Sequence, residues 1–235
     1  MNYLPAPPTR LAKAFSLIEL VVVIAVIVVI ATFTVPAATT ILKGSQISQA
    51  SQLLIGKLSL ARQTALSKNR AVEVRFYRYG DMNVPGEDAK DPATGKFRAV
   101  QLFEVLENGA TLPMGNVDRL PVNVIFAFEP SNTGGLSSLI DTKRGDSVQR
   151  EPKKPGADDP TAPRLPNGVD FNYDFVAFRF QQDGSTDLAP LGSWYVTLIG
   201  LNDRLPEPDK PPANFFTIQV DPVSGGTKIY RPSVG

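Results

Sequence analysis

Ala14-Phe15-Ser16-Leu17-Ile18-Glu19-Leu20 sets one carboxylate at the head of an apolar run that continues through Val35. From Leu20 to Ala31 no polar side chain interrupts it. With Phe15 to Glu19 and Thr32 to Val35 the run reaches about the 20 residues that cross a bilayer as helix. An ionised carboxylate in such a segment is costly unless it meets water or a cation, so Glu19 asks for a functional explanation. Arg10 and Lys13 precede the run, with no acidic residue in the first 14 positions, which favours a cytoplasmic N-terminal end and a body outside the cytoplasm.

The residues alone admit two readings of this segment. One is a permanent single-span anchor with Glu19 near the headgroups. The other is a cleavable secretory signal, for which Val35-Pro36-Ala37 offers small residues at the accepted spacing. A third rests on resemblance. The stretch 14–20 with the valines and isoleucines behind it resembles the leader of type IV pilins and type II secretion pseudopilins.

In that family a dedicated prepilin peptidase cuts before the apolar run, methylates the new amine and leaves the run as the assembly helix. The resemblance implies a cut between Ala14 and Phe15, N-methylation of Phe15, and a filament-assembly role for Glu19, which would face a neighbouring subunit's amine. Ala14 stands where the family usually has glycine, and Pro36 matches the family's helix-bending proline. A buried carboxylate becomes favourable when it meets a cation in a dry bundle, so such a pair would also set the stagger between helices. The implied location is the inner (cytoplasmic) membrane, single-pass, with the C-terminal domain in the periplasm or outside the cell. The implied partners are prepilin peptidase, other pilin or pseudopilin subunits, and membrane lipid before assembly.

Composition sets wider limits. At 235 residues and 43% apolar content the chain suffices for one anchor and one moderate globular domain. Its 24 basic side chains, less Arg10 and Lys13, leave 22 against 23 acidic, a net charge of −1 that points to no nucleic-acid partner. There are no cysteines and no histidines, which excludes disulfides, His-based triads and general bases, and nearly every zinc arrangement. No catalytic, cofactor or metal residue is expected.

Beyond Pro36 the sequence turns amphipathic. Ile47, Ala50, Leu54, Leu58, Ala61 and Ala65 recur every three or four residues, while Gln49, Gln52, Lys57, Ser59, Gln63 and Lys68 occupy the opposite face. One helix is expected from about Phe15 to Lys68, bent or loosened near Pro36 and ended by Asn69. Residues 71–77 then alternate as a half-buried strand, with Val72, Val74 and Phe76 facing the helix.

This junction, Leu60 to Val72, resembles the GspH/FimT group of minor pseudopilins, which carry an Ala-Arg, a later Ala, a basic turn and a strand. Small Ala61 and Ala65 would let a sheet approach closely, while Arg62, Lys68 and Arg70 stay solvated. Further strands are expected at 100–106, 122–128, 175–181, 194–201, 215–220 and 227–230. The Asp183-Gly184 turn and the hairpin through Gly225-Gly226 resemble the same group. Loops near 80–96, 141–168 and 202–214 are rich in Pro, Gly and charge and read as surface insertions of low order. Loops of that length also resemble the Verru_Chthon cassette protein D family.

The expected organisation is a leader at 1–14, a transmembrane and assembly segment at 15–36, an amphipathic helix at 37–70 and a β-rich domain at 71–235. The fold class is α+β, a long N-terminal helix packed on an antiparallel sheet. The expected function is that of a structural subunit, a minor pseudopilin or pilin. The alternatives are a DNA-uptake minor pilin, for which Lys228 and Arg231 are the nearest basic residues, and an anchored or secreted β domain outside any filament. An enzymatic reading would rest on Asp183 and Asp187, or on Asp81, Glu87, Asp88 and Asp91. Neither set has the spacing of a calcium loop, and both suit turns.

Overall fold

The structure, a computed structural model, describes residues 16–128, 135–141, 154–155, 161–203 and 211–232, the side chains of 33–41 excepted. Helix α1 spans Leu17–Lys68. It is followed by β1 (Val72–Tyr79), a 3₁₀ turn (Pro92–Thr94), β2 (Lys96–Val105), β3 (Thr111–Pro113), β4 (Asp118–Arg119), β5 (Val124–Phe126), β6 (Asp174–Phe180), β7 (Trp194–Gly200), β8 (Phe216–Val220) and β9 (Thr227–Tyr230). The chain divides into two units, Met1–Leu42 and Lys43–Gly235. The second holds the sheet.

All strands belong to one antiparallel sheet ordered β6-β1-β2-β5-β7-β8-β9, with β3 and β4 pairing different stretches of β2. The fold is α+β, as the alternation of patterns implied. The helical face Ile47, Ala50, Leu54, Leu58, Ala61 and Ala65 is buried against Val72, Val74, Phe76, Phe178 and Ile218. Each large apolar side chain buried there contributes about 1.5–3 kcal/mol. Phe76 meets Phe126 edge-on at 5.2 Å, centring the core under the helix. Asn69 ends α1 with φ +52, and the Arg70 N–H reaches back to the Ala65 carbonyl at 3.3 Å, closing the last turn.

The structure corrects the picture of β1 as half-buried, because the face turned away from α1 is covered as well. Tyr77, Tyr79, Ala99, Phe103 and Phe175 there pack with Ala89, Leu165, Val169 and Tyr173 from connecting segments. Glu73 and Arg75 are therefore buried, and Glu73 Oε1 accepts from Arg75 Nε at 2.6 Å while Oε2 accepts from Arg179 at 2.8 Å. Burial pushes the Glu73 carboxyl up, but Arg75 and Arg179 together outweigh it and hold the group below its ordinary value.

The 80–96 stretch is likewise not a slack insertion. It carries the 3₁₀ turn, capped by the Asp91 side chain accepting from Ala93 N–H, and Glu87 binds Arg98 through both oxygens. In the other two long loops, 142–153, 156–160 and 204–210 lie outside the described residues. Strand boundaries elsewhere shift by a few residues. β2 starts at Lys96 because Lys96 pairs with Tyr79 at the far end of β1. Two further strands, β3 and β4, are three and two residues long, too short to show a period in the sequence.

Candidate functional site

Ser16 begins the described part of the N-terminal segment and caps the helix, with Glu19 in its first turn. The Ser16 carbonyl accepts from the N–H of Glu19 at 3.1 Å and of Leu20 at 3.2 Å, and its Oγ lies 3.4 Å from the Glu19 N–H. Ser16 is thus the cap and Glu19 the third helical residue, the Ser-x-x-Glu arrangement in which both side chains favour a helix start. A carboxylate in the first turn also faces the positive end of the helix dipole, worth about 0.3–1 kcal/mol at an exposed site. Glu19 therefore has a local role besides any partner. The same Ser-x-x-Glu spacing is present in the sequence at Ser16 and Glu19.

From Leu20 to Ala31 the helix is apolar on every side. Leu17, Ile18 and the large residues from Leu20 to Ile30 are 46–81% exposed. A helix of that composition is stable only where all its faces are covered, in lipid or among other helices. Among the described residues no helix is long and apolar enough to cross a membrane. The expected span continues into 33–41, whose side chains lie outside the described residues, as do Ala14 and Phe15 altogether. Pro36 falls within the bounds of α1, its side chain likewise outside them.

The sequence signals of the globular unit converge on Arg62. Its Nε lies 3.0 Å from the Ser224 carbonyl and 3.4 Å from the Gly184 carbonyl. One helical guanidinium thus ties together the Asp183-Gly184 turn and the Gly225-Gly226 hairpin, 122 and 162 residues away. Gly225 has φ +65, and a Cβ there would sit 2.0 Å from the Gly184 carbonyl oxygen.

This corrects the expectation that Arg62 stays solvated, whereas the Lys68 and Arg70 side chains remain 52% and 39% exposed. Arg62 is half-buried on carbonyls, and Lys68 and Arg70 converge on Glu104 at 2.5 and 3.2 Å. Hydrogen bonding from Lys68 leads the causes that hold the Glu104 carboxyl below its ordinary value. The basic turn pins the helix end to β2.

The acids are placed one by one in turns and pairs. Asp81 accepts from Asn83, Asp88 from Lys90 N–H and Asp183 from Ser185, while Asp187 accepts from the Arg179 N–H. The Ser185 hydroxyl and N–H hold the Asp183 carboxyl below its ordinary value. Among the described residues no three acids are placed to share a metal ion. Of the C-terminal basic residues, Arg231 donates to Ser48 Oγ at 2.8 Å with its guanidinium over the Phe216 ring, and Lys228 lies over the Tyr230 ring.

No protein-family model and no curated protein matches the chain in sequence. In three dimensions it is similar to two structures of the minor pseudopilin EpsH from the type II secretion system of Vibrio cholerae. One is 12% identical at a TM-score of 0.41, covering 83% of this chain and 99% of that one. The other is 10% identical at a TM-score of 0.39, covering 80% and 98%.

Proposed function

We propose that the chain is a prepilin, cut between Ala14 and Phe15 by a prepilin peptidase that methylates Phe15, and that its N-terminal helix packs it into a filament of like subunits. The observation that carries this reading is Glu19 in the first turn of a helix whose stretch from Leu20 to Ile30 is apolar and exposed on every side. Such a segment needs company, and its one charge needs a cation; the methylated amine of a neighbouring subunit meets both needs. The chain then sits in the inner membrane by its N-terminal segment before assembly, with the β domain beyond it. The machine served is a secretion or pilus apparatus of the type II or type IV kind. The role is structural and requires no chemistry of the subunit.

Determination of the mature N-terminus by mass spectrometry tests the first step. A methylated Phe15 is expected, whereas a start at Ala38 or an intact Met1 overturns it. Filament incorporation tests the second, and Glu19→Ala is expected to abolish it. Unchanged incorporation removes the pairing role. Glu19→Gln separates charge from cap, since the amide keeps a polar third position in the Ser-x-x-Glu/Gln box but carries no charge for the amine.

A further inference from the structure

The globular unit contains a cavity of about 410 Å³ beside the end of β1, within the size range of small-molecule sites. Its floor is Tyr79, only 4% exposed, whose hydroxyl has no hydrogen-bond partner among the described residues yet is not sealed from solvent. A hydroxyl that reaches solvent from a cavity wall can exchange its hydrogen bond to water for one to a ligand. Burial raises the Tyr79 hydroxyl above its ordinary value, which keeps it protonated and able to donate and accept.

The remaining lining groups define what that partner is. Arg98, beside Tyr79, is already bound by Glu87 at 2.7 and 2.8 Å and lies 3.7 Å from Asp81. With Arg119, the two arginines and two acids balance. At the rim Asn123, Asn167 and Asn202 are exposed carboxamides whose side chains make no hydrogen bond among the described residues, and Arg119 makes no ion pair among them. The unfilled capacity is therefore mostly neutral donors and acceptors, each amide offering both. Leu120 and Val122 add an aliphatic wall between them.

We propose that this cavity binds an uncharged polyhydroxylated ring, a neutral sugar unit, independently of the filament role. Hydroxyls around a pyranose each donate and accept, matching the amide rim and the Tyr79 hydroxyl, while the ring's C–H face suits the aliphatic wall. A cation would meet Arg119, and an anion would engage Arg119 but leave the neutral carboxamide rim unused.

Saturation-transfer NMR on the full chain in a sugar-free zwitterionic detergent, with glucose, galactose, mannose and N-acetylglucosamine as probes at millimolar concentration, tests the proposal. Transfer to at least one sugar is expected. Tyr79→Phe is expected to weaken that binding about fivefold, the worth of one hydrogen bond, and Asn123→Ala and Asn202→Ala to weaken it about as much. Gln63→Ala, on the outer face of α1, is expected to leave it unchanged. Absence of transfer to every sugar probe overturns the proposal, as does an affinity, titrated by the same transfer, that is unchanged in all three cavity variants. Transfer to acetate, included as a fifth probe, with none to the sugars and with loss in Arg119→Gln, overturns it in favour of an anion site.

Discussion

Glu73→Gln removes the one charge that two arginines share inside the sheet. Glu73 is buried, with Arg75 Nε at 2.6 Å on one oxygen and Arg179 Nε and Nη2 both at 2.8 Å on the other. Arg75 cannot turn to water, because its guanidinium lies 3.8 Å from the Phe103 ring centre and 4.6 Å from that of Phe175. Breaking a buried pair by removing one partner costs about 3–5 kcal/mol. Arg179 is 40% exposed and re-solvates, and the glutamine oxygen still accepts one bond, so the lower end, about 3 kcal/mol, is expected. Urea unfolding of the full chain, followed by the fluorescence of the single, buried Trp194, measures it. The midpoint is expected to fall with the slope unchanged.

The sign of the pH dependence follows from the lowered carboxyl. A group whose folded value lies below its unfolded value contributes stability above the unfolded value, and that contribution is lost as pH falls through the folded one. The gap between the native chain and Glu73→Gln is therefore expected to be full at neutral pH and to narrow in acid, below the ordinary carboxylate range. A neutral-pH loss under about 1 kcal/mol, or a gap that widens in acid, refutes the assignment of Glu73 as the charge that satisfies both arginines.

Three further outcomes are expected in the same assay. Leu58→Ala opens a cavity where α1 meets the sheet and is expected to cost about 3 kcal/mol, whereas Gln63→Ala on the outer face costs less than about 0.5. Gly225→Ala forces a Cβ to within 2.0 Å of the Gly184 carbonyl at φ +65, so a loss of about 2 kcal/mol or more is expected. Arg62→Ala frees two carbonyls at a half-buried site and is expected to cost about 1 kcal/mol, with faster amide exchange at 183–186 and 223–226 than elsewhere in the unit.

Several parts of this molecule were legible in the residue order. The stripe from Ile47 to Ala65, the stop at Asn69 and the alternation of Val72, Val74 and Phe76 are local signals, since a helix or strand repeats its exposure every few residues. The pattern places six later strands at nearly their observed positions for the same reason. It does not place β3 and β4, because pairing with an already formed β2, not their own pattern, makes them strands.

By itself, then, the sequence determined the α+β class, the buried face of α1 and the oddity of a carboxylate heading an apolar run. Only the tertiary structure decided that β1 is covered on both faces, that Glu73 serves two arginines, that Arg62 clamps two turns far along the chain, and that Tyr79 floors a cavity. The physical reason is common to all four. Each depends on which segment closes over a given side chain, and that choice is made by contacts between residues tens to more than a hundred positions apart, where no local period carries information.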